Sequence, residues 1–255
     1  MAKAHFTLQG KGGVGKSLVS ALIAQHRARH HIPLICVDTD PVNATFAGYD
    51  AFDVQRIELL KDNKIDESEF DHLMETIANN PEAEIIIDNG ASSFIPLSSY
   101  LIENNAIELL QTMGHTIVIH PVITGGQALM DTLMGLDSLA SQFPESAEII
   151  VWLNHYFGAI ERDGKDFEAM KVYQQHQDRI NGIIAIHKQS DLFAKDMKAM
   201  LEARQTFDEI MESPDIHFMS KNRLKMMKED LFEQMDSILG LPSKTTKKSD
   251  SKEGK

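Results

Sequence analysis

The sequence predicts an α/β fold, a doubly wound and mainly parallel sheet with helices on both of its faces. Segments with strand-like patterns alternate with segments of helical periodicity almost throughout the chain, and this alternation is typical of parallel sheets. The runs Leu34 to Val37 and Ile85 to Ile87 are apolar without interruption, as strands covered on both faces are. A length of 255 residues with 42% hydrophobic residues is enough for such a core.

Composition and charge narrow the kinds of protein to consider. Cys36 is the single cysteine, which excludes a disulfide framework and indicates a reducing compartment. No apolar run approaches the roughly 18 residues of a membrane span, and no signal peptide precedes the first strand. We therefore expect a cytoplasmic protein without a membrane span. The net charge of -13 predicts weak direct DNA binding or none, because phosphate contacts need clustered Lys and Arg.

The glycine-rich segment 10–17, GKGGVGKS, organises the chain. It fits the phosphate-binding pattern G-x-x-x-x-G-K-[ST], and it lies between a predicted strand over 4–8 and a predicted helix over 17–29. Its backbone N–H groups and the positive helix end attract phosphate, and its glycines permit close approach. The residues expected to bind the nucleotide here are Gly10, Lys11, Gly12, Gly13, Val14, Gly15, Lys16, Ser17 and Leu18.

Two side chains of this segment have specific roles in the prediction. Lys16 is expected to neutralise the β and γ phosphates, and the Ser17 hydroxyl is expected to hold Mg²⁺. The segment therefore predicts a nucleotide with β and γ phosphates and Mg²⁺, and the resemblance given below implies that this nucleotide is ATP.

Polar residues follow three other predicted strands at the point where each strand ends, which is where parallel sheets bind ligands. The strand over 33–38 runs into 38–45, DTDPVNAT, and the strand over 84–88 ends in Asp88, Asn89 and Gly90. The strand over 148–154 ends in Asn154, whose amide can both donate to and accept from a purine edge. An ordinary turn residue is the alternative for Asn154, as an Asp-Pro turn is for 38–41.

The remaining periodicity predicts further elements. A strand or edge hairpin is expected within 52–60, and other strands over 115–121 and 182–186. The predicted helices cover 66–79, 97–112, 127–142, 167–180, 189–211 and 221–239.

The last predicted helix, 221–239, has one apolar stripe. We expect this stripe to dock on the helix's own domain or on a dimer partner. One domain over 1–242 and a disordered Lys/Ser-rich tail over 243–255 complete the predicted organisation. The stripe consists of Leu224, Met227, Leu231, Met235 and Ile238.

Three histidines near the end of the first predicted helix, His26, His30 and His31, can share one face at metal-ligand spacing. The sequence nearby offers no carboxylate or cysteine to complete a site. We therefore interpret them as basic residues that face the negative end of the helix dipole.

The phosphate segment with its second lysine, Lys11, the D-x-D-P segment and Asp88 together resemble the ParA/MinD superfamily of ATPases, which has a "deviant" phosphate loop. The resemblance covers about residues 1–190. It implies that Lys11 reaches across a dimer to the partner's nucleotide and that Asp40 orients the attacking water. It also implies that the start of the helix over 189–211 closes over the base.

The same resemblance suggests a metal site and two further contacts. Ser17, Asp38 and Asp88 would hold Mg²⁺, with Asp88 acting through a water molecule, and Asn154 would contact adenine. Gly90 would turn its backbone N–H toward the γ-phosphate. The family often has a proline in this segment, and its absence here leaves the geometry of the second switch open.

The first fifty residues are more narrowly similar to the TraL- and StbB-type ATPases of conjugative plasmids, and residues 37–48, VDTDPVNATFAG, carry most of that similarity. The resemblance to the ParA/MinD superfamily implies an ATP-dependent homodimer that hydrolyses ATP slowly without a partner. The narrower similarity implies a role in conjugative transfer or in plasmid positioning and stability, with a DNA-binding adaptor or a partition protein as the partner.

Two other functions stay open at the level of sequence. A metabolic enzyme of the same superfamily, such as a dethiobiotin synthetase or an amide synthetase, needs a second substrate site or a glutaminase cysteine, and no segment provides either. An adaptor that binds nucleotide without significant hydrolysis has the same motifs, so only a measurement of phosphate release distinguishes it.

Overall fold

A computed structural model describes residues 3–62, 64–188 and 190–240. The predicted tail over 243–255 lies outside these ranges. Among the described helices, none combines the length and the apolar composition that crossing a membrane requires.

A parallel sheet forms the centre of the molecule. The described strands are β1 (Lys3–Thr7), β2 (Leu34–Asp38), β3 (Val54–Arg56), β4 (Leu60–Lys61), β5 (Lys64–Ile65), β6 (Glu84–Asp88), β7 (Thr116–His120), β8 (Val122–Thr124), β9 (Glu148–Asn154), β10 (Glu161–Arg162), β11 (Lys165–Asp166) and β12 (Ile180–Ile186). The strand order in the sheet is β12-β9-β7-β1-β6-β2-β3, with β8 also paired to β9, and its pairings are parallel. Two short antiparallel hairpins, β4-β5 and β10-β11, lie outside it.

Helices cover both faces of the sheet, which confirms the predicted fold class. The described helices are α1 (Lys16–Arg29), α2 (Glu69–Ala78), α3 (Phe94–Glu103), α4 (Ala106–Thr112), α5 (Leu129–Gln142), α6 (Lys171–His176), α7 (Asp191–Glu202), α8 (Phe207–Glu212) and α9 (Phe218–Leu239). One buried cluster joins the sheet to α2 through α5, and a second joins it to α1, α7, α8 and α9.

Three predicted helices differ from the observed elements. The helix expected over 97–112 is two helices, because Asn105 adopts the left-handed conformation (φ 47°) between them. The helix expected over 189–211 is broken at Arg204 (φ 52°), after which a capping box at Thr206 starts α8. The helix expected over 167–180 is shortened to α6 and a 3₁₀ turn, and β12 already begins at Ile180. Left-handed residues end helices without any glycine or proline to signal the break.

Helix α9 docks on its own domain. Leu224, Met227, Leu231 and Met235 are buried in the cluster that covers the α1 face of the sheet, and Ile238 is partly buried there. The helix begins at Phe218, three residues before the predicted start. Its apolar stripe is therefore occupied within the chain.

A chain of polar groups crosses the sheet on the α1 face. Trp152 Nε1 donates to His120 Nδ1 (3.0 Å), so a neutral His120 carries its proton on Nε2 and donates it to His5 Nδ1 (2.9 Å). His5 then donates from Nε2 to Glu84 Oε2 (3.2 Å). Burial lowers the pKa of both histidines, which keeps them neutral. The polar side of β1 is therefore buried, although its alternating pattern resembles a half-exposed strand.

Arg27 connects this chain to the end of α9. Its Nε lies 2.8 Å from Glu84 Oε2, and its Nη atoms donate to the carbonyl oxygens of Gly240 (2.9 Å) and Leu239 (3.3 Å). Burial acts to raise the pKa of Glu84, but the hydrogen bond from His5 and the charge of Arg27 hold it below its ordinary value. Arg27 thus neutralises a buried carboxylate and caps the last carbonyls of α9.

The interpretation of the three α1 histidines is wrong in one respect. A carboxylate does lie beside His26 and His30, and it comes from Asp236 of α9, more than 200 positions along the chain. His31, which has a positive φ of 54°, is not part of that group.

Replacing Arg27 by methionine should lower the free energy of unfolding by about 3 kcal/mol, because Glu84 is then left buried without a counter-charge. Arg29→Met is the matched control on the same helix. Its side chain is 45% exposed, so its loss should cost less than about 1 kcal/mol. Urea denaturation in the presence of a chelator measures both values, and equal losses would show that Arg27 has no special role.

Candidate nucleotide-binding site

The carboxyl ends of three adjacent strands bring the predicted site together. β6 lies between β1 and β2, and its last residue, Asp88, is in register with Thr7 of β1 and with Asp38 of β2. The glycine-rich segment leaves β1 at this edge. Two carboxylates therefore lie beside the start of the phosphate loop, although their segments are 50 residues apart in the sequence.

The loop owes its shape to two glycines in positive φ. Gly13 (φ 73°) and Gly15 (φ 104°) turn the chain, and Gly15 is the residue from which α1 starts. A Cβ on Gly15 would lie 2.7 Å from Asn154 Nδ2, so no larger residue fits there. The N-terminus of α1 consequently points its free N–H groups toward the space in front of the loop.

Lys16 is the buried cation of the loop. Its side chain bends back so that Nζ donates to the carbonyl oxygen of Lys11 (3.1 Å). Burial lowers the pKa of Lys16, while the charges of Asp88 and Asp40 act in the opposite direction. An incoming phosphate would offer this ammonium group stronger acceptors than one backbone carbonyl.

Asp88 is the most strongly perturbed carboxyl group of the site. Burial, and then the charge of Asp38, raise its pKa to about 7, against the lowering effect of Ser17, Lys16 and Ser20. Ser20 Oγ donates to its Oδ1 (3.2 Å). A carboxylate held in so unfavourable a place gains from a divalent cation nearby, which is what the predicted Mg²⁺ role of Ser17 and Asp88 requires.

Asp38 holds in place the segment that follows β2, residues 38–47, which we call the first switch segment. Its Oδ1 accepts from the backbone N–H of Asp40 (2.9 Å) and its Oδ2 from that of Ala47 (2.9 Å). Burial raises its pKa, and these hydrogen bonds oppose that effect. Asp38 therefore anchors the segment between residues 38 and 47, a positioning role that the sequence did not suggest. Its part in Mg²⁺ binding stays a prediction.

The segment that follows β6, residues 88–91, is called the second switch segment here. It touches the first switch segment at Gly90 and Asp40. A Cβ on Gly90 would lie 2.7 Å from Asp40 Oδ1 and 3.0 Å from Asp40 Cα, so only glycine allows this approach. Asp40 Oδ1 also accepts from the N–H groups of Val42 (2.9 Å) and Asn43 (3.1 Å). Close packing against Asp40 therefore requires glycine at position 90. The roles of Asp40 with water and of Gly90 with phosphate stay predictions.

Thr39 provides a second link between the switches. Its hydroxyl donates to the carbonyl oxygen of Asp88 (3.0 Å), and it lies 3.1 Å from Asn89 Oδ1. Sequence reasoning missed this residue, because its partners belong to a strand that is distant in the chain. The Thr39 hydroxyl therefore links the segment that follows β2 to the segment that follows β6.

Two adjacent cavities open at this edge. One of about 560 Å³ contains Gly12, Gly13, Lys16, Ser17 and Asp40 in its wall. The other, of about 540 Å³, lies between Asn154 and helix α7. Gly15, Leu18 and Leu201 line both. These volumes are in the range of nucleotide-sized sites. Residues of α7 line the second cavity, and their closure over a base stays a prediction.

Asn154 is engaged with the phosphate loop itself. Its Nδ2 donates to the carbonyl oxygen of Val14 (2.9 Å), and its Oδ1 accepts from the N–H of Tyr156 (3.1 Å). The side chain is buried at the boundary of the second cavity. It therefore fixes the loop, and its contact with adenine stays a prediction.

Lys11 is not among the residues that line the phosphate cavity of its own chain. Its Nζ forms a 2.7 Å ion pair with Asp131 Oδ2 of α5, and both side chains are nearly half exposed. Asp131 is a second residue that sequence reasoning missed, since only the packing of α5 brings it near the loop.

This geometry defines a P-loop nucleotide-binding domain. A family profile described as the CobQ/CobB/MinD/ParA nucleotide-binding domain matches residues 6–225, and the chain belongs to that family. Two Escherichia coli proteins, each named Protein TraL, are 49% identical to it over 238 residues, which are 93% of this chain and 98% of each relative. The predicted similarities to the ParA/MinD superfamily and to TraL proteins are thereby confirmed.

Two solved structures are also similar. The MinD cell division protein of Aquifex aeolicus has a TM-score of 0.49 and 15% identity, over 91% of this chain and 98% of that one. The septum site-determining protein MinD of Pyrococcus horikoshii, complexed with Mg-ADP, has a TM-score of 0.47 and 17% identity, over 96% and 100%.

Lys16→Ala should weaken ATP binding by at least tenfold and leave the fold intact, because one charge-assisted contact contributes about 1.5–3 kcal/mol. Calorimetric titration with ATP in Mg²⁺ measures the affinity, and circular dichroism checks the fold. Unchanged affinity in a folded variant would show that the phosphates bind elsewhere.

The effect of Mg²⁺ on nucleotide binding should depend on pH. A folded-state pKa of about 7 means that Asp88 binds a proton as the pH falls below 7. The Mg²⁺-dependent part of the affinity should therefore fall toward acid pH, by up to about tenfold per pH unit.

The ratio of dissociation constants in EDTA and in Mg²⁺ should be measured at pH 6, 7 and 8. Asp88→Asn is the control that subtracts the titration of the nucleotide itself. A wild-type ratio with the same pH dependence as that of Asp88→Asn would contradict the assignment.

Proposed function

We propose that this protein is an ATPase of the ParA/MinD type that works as a dimeric switch in the cytoplasm. ATP and Mg²⁺ bring two copies together face to face, and hydrolysis separates them. The observation that carries the proposal is the meeting of the phosphate loop, Asp88 and the Asp40–Gly90 contact at one edge of the sheet. Such an edge binds a nucleotide and senses its γ-phosphate with the same residues.

In this mechanism each group of the site has one task. Lys16 and the loop N–H groups bind the β and γ phosphates. Ser17 and Asp88 hold Mg²⁺, with Asp38 nearby, and Asp40 orients the attacking water. Loss of the γ-phosphate frees Gly90, and Thr39 passes the movement to the first switch through its contacts with Asp88 and Asn89.

The dimer is proposed from the surroundings of Lys11. This lysine is exposed beside the phosphate cavity and contacts only Asp131 among the acidic groups of the described residues. Val42 of the first switch is 68% exposed and lines the same cavity. A partner copy would cover this apolar side chain, and Lys11 would then neutralise phosphate charge in the partner's site.

The similarity to TraL proteins supports a role in plasmid biology, in conjugative transfer or in plasmid positioning and stability. A protein with a net charge of -13 is a poor non-specific DNA binder. We therefore propose a DNA-binding adaptor or a partition protein as its partner. Stimulation of phosphate release by that partner would support the switch, and nucleotide binding without any release would instead identify a passive adaptor.

Lys11→Ala and Asp40→Ala should fail in opposite ways. Without Lys11 the two nucleotides' charges face each other uncompensated, so the variant should bind ATP and stay monomeric. Without Asp40 the water is not placed, so the variant should dimerise with ATP and persist as a dimer longer than the wild type. Size-exclusion chromatography with ATP and Mg²⁺ separates these results.

Two controls keep the test specific. Lys61→Ala removes an exposed lysine on a distant hairpin and should dimerise normally. Asp40→Asn keeps an acceptor for the N–H groups of Val42 and Asn43, so a defect that it shares with Asp40→Ala belongs to the carboxylate. A wild type that stays monomeric with ATP would overturn the switch.

A further inference from the structure

Three potential metal ligands converge where α1 packs against α9. His26 Nε2 lies 2.8 Å and His30 Nε2 3.3 Å from the same oxygen, Oδ1 of Asp236. The three ligand atoms all lie within 4.8 Å of one another. None of these side chains takes part in the nucleotide site.

The spacing fits a small transition metal. His26 and His30 are one helical turn apart, so both rings project from one side of α1. Bonds of 2.0–2.1 Å in a tetrahedral site place ligand atoms about 3.3 Å apart, close to the distances already present. Imidazole with one carboxylate is a donor set that suits zinc and its neighbours in the first transition row.

His26 is available as a neutral ligand. Burial lowers the pKa of His26 to about 4, against the effect of its hydrogen bond to Asp236. His26 is fully buried, whereas the side chains of His30 and Asp236 are 17% and 27% exposed. An ion can therefore enter from the solvent side, and water can complete its coordination.

Two arginines lie near the group and affect how it can bind a cation. Arg29 Nη2 lies 3.5 Å from Oδ2 of Asp236, the oxygen that the histidines do not use, and its side chain is 45% exposed. Arg27 is bound to Glu84 and to the end of α9. Both arginines raise the local potential, so coordination bonds to the imidazole nitrogens, and not charge alone, must drive binding.

We propose that His26, His30 and Asp236 bind one divalent transition metal ion of the zinc class. The ion joins the C-terminal half of α1, the helix that starts at the phosphate loop, to the C-terminal half of α9. It works as a structural clasp, because an ion that binds the folded state alone raises its stability. This inference does not depend on the proposed nucleotide switch.

The test uses untagged, full-length protein that has been stripped with a chelator and contains no nucleotide. Calorimetric titration with ZnCl₂ should give one ion per chain, and CoCl₂ should produce visible absorption bands that report nitrogen coordination. ZnCl₂ should also raise the melting temperature. The variants are His30→Gln and Asp236→Asn, which alter the two partly exposed ligands and leave buried His26 in place.

His72→Gln is the matched control. His72 is an exposed histidine with Glu69 and Glu75 within 4 Å, so it represents adventitious binding to surface acids. The loss of a residue that only supports a metal ligand costs about 10- to 100-fold in affinity. His30→Gln and Asp236→Asn remove ligands themselves, so each should weaken zinc binding by more than that and should abolish the rise in melting temperature. His72→Gln should change neither.

Three results would overturn the proposal. They are a wild type that binds no zinc above the level of His30→Gln, equal binding by all variants, and a loss confined to His72→Gln. Circular dichroism in EDTA establishes that each variant is folded. If one ligand variant does not fold, the other still decides the question.

Discussion

The pairing of β6 between β1 and β2 is the constraint on which the site depends. It puts Asp88 beside Asp38 in the interior, where two carboxylates repel each other and lose hydration. The protein offsets this with Lys16, with two serine hydroxyls and with backbone N–H groups directed at Asp38. A divalent cation would relieve the remaining imbalance, which supports the Mg²⁺ role proposed for Ser17 and Asp88.

Helix α1 transmits this constraint to the rest of the fold. It has 14 residues and is about 21 Å long, with the phosphate loop at one end and Arg27 near the other. Arg27 ties that distal end to Glu84, which begins the same strand that Asp88 ends. The helix is thus fixed to β6 near both ends, by Ser20 with Asp88 and by Arg27 with Glu84, and this fixes the phosphate loop relative to the carboxylates.

Local patterns predicted what depends on local sequence. The bounds of β6 and β9 are those expected, and the phosphate loop lies where its motif and flanking periodicity indicate. The errors arise where distant contacts decide. Asn105 and Arg204 take left-handed conformations that no glycine announces. The loop contact of Asn154, the pairing of Lys11 with Asp131 and the approach of Asp236 to His26 join residues that only tertiary packing brings together.

The pair between Lys11 and Asp131 shows how a weak contact can serve a switch. Both side chains are nearly half exposed, and pairs of this kind contribute about 0–1 kcal/mol because water screens them. A phosphate group in a covered interface offers the lysine a stronger, charge-assisted bond. In the proposed dimer, exchange of the carboxylate for a partner's nucleotide would therefore be favourable. Before that exchange Asp131 would hold the lysine beside the loop and limit the entropy lost on dimerisation. A buried, strong pair at this position would oppose the exchange, because breaking it leaves a buried charge without a partner.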